Sequence, residues 1–120
     1  MQRIMLKSKI WYASVTETQL YYKGSITIDE TLMHAADVLC GEKVEVLNLS
    51  NGSRIETYAI KGKKDSGVIC LNGPAARTAC VGDKIIIVSY GIYEDKEAHG
   101  IKAKYVELDG GNKIKNTSVG

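Results

Sequence analysis

Apolar and polar positions alternate over short stretches broken by turn residues, a pattern that predicts strands more than long helices. Residues 3–15, RIMLKSKIWYASV, are rich in β-branched and aromatic types and predict an opening strand with Lys7 and Lys9 on one face. Tyr21 to Ile28 predicts a second short strand, interrupted at Lys23-Gly24-Ser25. Asp29 then offers a helix N-cap. Leu32, Ala35, Ala36 and Leu39 repeat at helical spacing behind it, and Gly41 supplies a stop. No other segment carries so complete a helical stripe.

From Lys43 to Lys61 the pattern predicts a hairpin, with Val44, Val46 and Leu47 leading into Asn51-Gly52 and Ile55 to Ile60 returning. Val68 to Leu71 reads as a strand that Asn72-Gly73-Pro74 ends, and Pro74 to Arg77 as one helical turn. Val81-Gly82-Asp83 opens a strand to Tyr90, Glu94 to Glu97 gives another helical turn, and Ile101 to Leu108 a last strand. After Gly110-Gly111 the chain turns polar, and residues 110–120 are expected to fray. Many short strands with one short helix predict a mainly β single domain over residues 1–120. Closure into a barrel would remove the edges those strands otherwise expose.

Composition narrows the function classes. In 120 residues, 16 Lys and Arg stand against 14 Asp and Glu, a net charge of +2, with 44% hydrophobic and 25% charged residues. These are globular averages, which exclude wholesale disorder and a supercharged nucleic-acid arm. The tyrosines form no basic-aromatic ladder, so nucleic acid is not an expected partner. Cys40, Cys70 and Cys80 are odd in number and lack C-x-x-C spacing, which predicts reduced, mostly buried thiols and a cytoplasmic location. No apolar run has signal-peptide or membrane-spanning length, so neither secretion nor a membrane is expected.

The common catalytic signatures are missing. His34 and His99 have no metal-ligand spacing, so no metal site is expected, and there is no G-x-S-x-G elbow, P-loop or G-x-G-x-x-G fingerprint. Taken alone, Gly24-Ser25 is a turn dipeptide and Arg54, Lys9 and Tyr58 are ordinary surface residues.

Longer segments change that reading. LYYKGSITID at 20–29, NGSRIETY at 51–58 and CLNGPAAR at 70–77, with MLKSKI at 5–10 and VGDKIII at 81–87, resemble the aspartate 1-decarboxylase family in one register from about Met1 to Tyr105. The resemblance implies a double-psi β-barrel with one short helix and one or two helical turns, assembled as a homotetramer with active sites where subunits meet. It also implies self-cleavage between Gly24 and Ser25 into chains 1–24 and 25–120. Ser25 would become a covalent pyruvoyl group that takes the place of pyridoxal phosphate and forms a Schiff base with L-aspartate, yielding β-alanine for pantothenate synthesis.

Carried over residue by residue, the resemblance makes Tyr58 the proton donor and gives Thr57 a part in processing and substrate contact. It gives Lys9, Arg54, Asn72, Gly73, Pro74 and Ala75 substrate-binding roles. The chemistry suits these types: a phenol is protonated near neutrality, and a guanidinium fork binds a carboxylate through two charge-assisted bonds. Strand alternation puts Arg54, Glu56 and Tyr58 on one face and Thr57 on the other, which predicts a bulge or strand end near Thr57.

Two positions depart from the family pattern, Pro74 where alanine is common and Trp11 where histidine is common. Two further readings stay open here: an unprocessed small barrel that binds nucleic acid or protein, and a pyruvoyl decarboxylase of another acidic amino acid. The sequence names no maturation partner.

Overall fold

A computed structural model describes the whole chain, Met1 to Gly120. Nine strands, two short α-helices and one 3₁₀ turn follow the order β1 (Gln2–Ser14), β2 (Glu17–Gln19), β3 (Ile26–Asp29), α1 (Glu30–Ala35), β4 (Lys43–Asn48) and β5 (Arg54–Gly62), then β6 (Ile69–Asn72), the 3₁₀ turn Gly73–Thr78, β7 (Lys84–Glu94), α2 (Asp95–Ala98), β8 (Lys104–Leu108) and β9 (Ile114–Val119). The hydrogen-bonded order is β2-β6-β3-β5-β4-β7-β1-β8-β9. Only Val15 and Thr16 separate β1 from β2, so one ribbon stands near both ends of that order and closes it into a barrel. Three of its pairings, β1 with β8, β2 with β6 and β3 with β5, are parallel.

The inward positions of these strands form one core. Ile10, Ile26, Ile28, Ile69, Leu71, Ile85 and Ile87 are all essentially inaccessible. Burying each stabilises the barrel by about 1.5–3 kcal/mol before chain entropy is charged against it. β-branched residues dominate because they pack well on a pleated, half-buried surface.

The helix is shorter than its stripe predicts. Asp29 caps it as expected, accepting from the Thr31 N–H at 2.9 Å. It ends at Ala36 because Asp37 takes a left-handed conformation (φ 55), and Asp37 N–H and Val38 N–H close on the His34 and Met33 carbonyls at 3.2 and 2.9 Å. This is a Schellman ending, and it buries Val38 instead of Leu39, which is exposed.

The hairpin is present as expected, with Asn51-Gly52 in a five-residue loop, 49–53, whose Gly52 N–H donates to the Asn48 carbonyl at 2.9 Å. Two further expectations change. Residues 110–120 are ordered: β9 pairs antiparallel with β8, and buried Asn112 donates to the Ser14 and Gly67 carbonyls at 2.9 and 2.8 Å. Every β9 residue is exposed, so backbone pairing and that one amide hold a strand with no apolar signature. Of the cysteines only Cys70 is buried, while Cys40 and Cys80 sit in exposed turns; all three are free thiols.

Candidate active site

Barrel register assembles the site. In the parallel pair of β3 and β5, Ile26 lies beside Ala59; in the antiparallel pair of β3 and β6 it lies beside Leu71. Continuing both registers one residue back sets Ser25 between Tyr58 and Asn72. A second step back sets Gly24 near Thr57 on one side and Gly73 on the other. Residues 24–25, 57–58 and 72–73, from three separate stretches of the chain, therefore meet where β3 begins.

The backbone there is unusual. Gly24 and Ser25 both have positive φ, 122 and 88. Only glycine adopts such values freely, so the serine holds a conformation that costs on the order of 1–3 kcal/mol. Ser25 is nonetheless 2% exposed and firmly held. Its carbonyl accepts from the Asn72 backbone N–H at 3.0 Å, and its Oγ accepts from Asn72 Nδ2 at 3.1 Å. Asn72 Nδ2 also donates to Thr27 Oγ1 at 2.9 Å, and Cys70 Sγ donates to Asn72 Oδ1 at 3.2 Å. Burial, and after it the Glu17 carboxylate, pushes the Cys70 thiol above its ordinary value.

Gly73 is required by contact as well as by its φ of 63. A Cβ there would stand 2.7 Å from the Tyr22 carbonyl oxygen and 2.9 Å from Gly24 N and Cα. Pro74 opens the 3₁₀ turn, where its missing N–H has no intrahelical role.

A depression of about 440 Å³ opens at this point, lined by Gly24, Ser25, Thr57, Tyr58, Asn72, Pro74 and Ala75 together with Ile55, Glu56 and Thr78. It has the size of a pocket for a small molecule. The expected bulge at Thr57 is absent: β5 pairs with β4 in unbroken register from Arg54 to Tyr58. Thr57 and Tyr58 both reach the depression because β3 pairs only with Ala59–Gly62, which leaves the edge of β5 at residues 54–58 open toward Ser25. The edge of a strand presents both of its faces.

Two residues expected at the site lie elsewhere in this chain. Arg54 is not among the residues lining the depression and pairs with Glu45 at 3.1 Å, an oxygen that Tyr90 Oη also reaches at 2.8 Å. That hydrogen bond, more than burial, raises the Tyr90 phenol above its ordinary value. Lys9 lies on β1 with its ammonium 5.7 Å from the Trp11 ring centroid, and Trp11 tilts against Tyr105 at 5.5 Å. Sequence reasoning missed Cys70, Thr27, Glu45 and Tyr90. The pairings Thr27 with Cys70 and Glu45 with Val88 join distant segments, so no local signal reports them. No group of three His, Cys, Asp or Glu side chains stands close enough to hold a metal ion, and no helix is long and apolar enough to cross a membrane.

Comparison with known proteins fits this geometry. The family model described as aspartate decarboxylase matches residues 1–115. Aspartate 1-decarboxylase of Thermoanaerobacter pseudethanolicus is 56% identical over 97% of this chain and 99% of its own length. Those of Heliobacterium modesticaldum and Pelotomaculum thermopropionicum are 58% and 59% identical over 95% and 92% of this chain and 86% and 83% of their own. With nearly the whole barrel matched, including the Gly24-Ser25 junction and the strands that flank it, the chain belongs to the aspartate decarboxylase family.

Proposed function

We propose that this chain is a self-processing, pyruvoyl-dependent decarboxylase that converts L-aspartate to β-alanine and CO₂, a reaction serving pantothenate synthesis in the cytoplasm. The observation that carries the reading is the Gly24-Ser25 junction, strained, buried and held by Asn72 at the edge of a small-molecule depression.

Processing begins when Ser25 Oγ attacks the Gly24 carbonyl carbon. The oxyanion formed needs donors, and the Thr57 hydroxyl, which lines the same depression as Gly24, would be one. Breaking the Gly24–Ser25 C–N bond leaves an ester through Oγ and a free amine on Ser25. Loss of the Ser25 α-proton then breaks the Cβ–Oγ bond, Gly24 departs as a carboxylate, and water replaces the remaining nitrogen as ammonia. Release of the positive φ at Ser25 favours the forward direction.

The surroundings fit a serine converted in place, because its neighbours are neutral donors and the adjacent Gly73 leaves room only for backbone. A pyruvoyl group there supplies an electrophilic ketone that condenses with an amine and accepts the electron pair freed when CO₂ leaves. Tyr58 Oη delivers the proton to the former α-carbon. Asn72, Pro74 and Ala75 bound the substrate, and the Ala75 N–H is a donor where Pro74 has none.

Arg54 and Lys9 bind the substrate carboxylates across a subunit boundary. Their separation from Ser25 within one chain supports a site completed by a neighbour. So does the exposure of Met1, Ile4 and Ile92, apolar residues that a symmetric homotetramer would cover.

Intact mass and product analysis test the reading together. The two fragments should sum to about 1 Da above the precursor, whereas simple hydrolysis would add about 18 Da. β-Alanine should form from aspartate, and glutamate should be turned over far more slowly. A chain that stays whole yet decarboxylates aspartate would rule out the mechanism.

A further inference from the structure

The hydrogen-bond path behind Ser25 assigns a task to a residue the reaction does not itself touch. Asn72 has three polar neighbours for its side chain: Cys70 Sγ on one side, and Ser25 Oγ with Thr27 Oγ1 on the other. Cys70 and Asn72 are both buried, 4% and 2% exposed, so water does not stand in for either partner. An amide could meet these neighbours in two orientations. With its N–H toward the hydroxyls, its oxygen must accept from the thiol; turned over, its oxygen would accept from the hydroxyls and its N–H would face sulfur.

The thiol proton breaks that symmetry. Cys70 is a donor while it is protonated, and burial together with the Glu17 carboxylate keeps it so. The orientation matters for processing, which is where this inference rests on the proposed function. Ser25 Oγ is the nucleophile and later the oxygen that leaves with Gly24 as a carboxylate. An N–H aimed at Oγ favours the build-up of negative charge in both steps, and a carbonyl oxygen aimed at it opposes both.

We propose that Cys70 is a positioning residue for self-processing: its thiol proton fixes the Asn72 amide with the N–H toward Ser25 Oγ.

The test follows cleavage of purified full-length precursor by intact mass, a readout independent of decarboxylation. Cys70→Val fills the buried site with an apolar side chain and removes the donor, and cleavage should slow about tenfold, as expected for one lost hydrogen bond. Cys70→Ser restores a donor and should cleave within about threefold of the wild-type rate. A packing role predicts the reverse order, because a buried apolar site favours valine over serine. In an Asn72→Ala background, Cys70→Val should have no further effect, since its only route is through that amide. Cys70→Ala serves as a second donor-free variant if valine does not fold.

Equal cleavage by the valine and wild-type chains, or an undiminished valine effect without Asn72, overturns this inference alone. A wild-type chain that never cleaves overturns the proposed function and this inference with it.

Discussion

Asn72 holds Ser25 at two points, the backbone N–H on the serine carbonyl at 3.0 Å and the side-chain N–H on its hydroxyl oxygen at 3.1 Å. The first bond continues the pairing of β3 with β6, so it survives truncation of the side chain. Asn72→Ala should therefore leave the fold intact, with stability lower by about 1–3 kcal/mol because Cys70 and Thr27 also lose their partner. Cleavage should slow by at least about tenfold. A time course of intact mass checks this, and unchanged cleavage would remove the side chain from the processing step.

Tyr58 and Thr57 flank the junction from one strand edge but should fail in different steps. Tyr58→Phe deletes only the hydroxyl and should still cleave, with turnover per processed chain falling about 10²- to 10⁴-fold, the range of general acid catalysis. Thr57→Val keeps β-branched strand character and should be slow in cleavage first. Fragment yield and β-alanine rate, measured on the same preparations, separate the two. Normal turnover in the phenylalanine variant would refute the proton-donor role.

Gly73→Ala should be the most damaging single-methyl change near the site. It meets backbone on two sides at under 3.0 Å and strains a positive φ, so no side-chain rotation relieves it. A loss of about 1–3 kcal/mol is expected from the conformation alone, with Gly24 displaced and cleavage impaired. The same change at Gly82, where a Cβ meets nothing within 4 Å, should cost only the conformational part and spare cleavage. Denaturant midpoints of the two variants check the contrast.

Acid stability should report Asp83. Its Oδ2 accepts from Asn48 Nδ2 and from the Cys80 N–H, both at 2.9 Å, and these bonds, the Asn48 one foremost, hold its carboxyl below the usual carboxylate range. A depressed folded-state value stabilises above the unfolded value of about 3.9, and the contribution is lost as pH falls through the folded value. The thermal midpoint should decline below about pH 4, and Asp83→Asn should decline less steeply from a lower neutral starting point. Parallel curves for the two proteins would exclude Asp83 from the acid response.

Assembly is checked by sedimentation, which should give about four times the chain mass, 13.1 kDa, with residues 1–24 retained after cleavage. Retention is expected because β1 pairs with β7 and β8 and buries Ile10 and Ala13 in the core. Ile92→Glu should dissociate the assembly and raise the KM for aspartate if Arg54 and Lys9 come from a neighbour. A fully active monomer would contradict the shared site.

The opening strand, the Asp29 cap, the Asn51-Gly52 turn and the helical turns after Asn72 and Glu94 were legible because each rests on neighbours in sequence. The motifs at 20–29, 51–58 and 70–77 point to Ser25, Tyr58 and Asn72, and the fold brings these three to one depression. Leu39 and β9 were misread for one reason. Periodicity reports burial, while Asp37 ended the helix through a backbone conformation and the last strand is held by its backbone and one buried amide.

What the residues determine by themselves is therefore the alternating strands, their turns and the chemical types available. Tertiary structure alone decided that Ser25 stands between Tyr58 and Asn72, that a cysteine backs the asparagine, and that Arg54 and Lys9 lie apart from both within one chain. Those relations depend on which strands pair and in what register. Pairing between distant segments is selected by the burial of whole faces in a closed barrel, and no local pattern carries it.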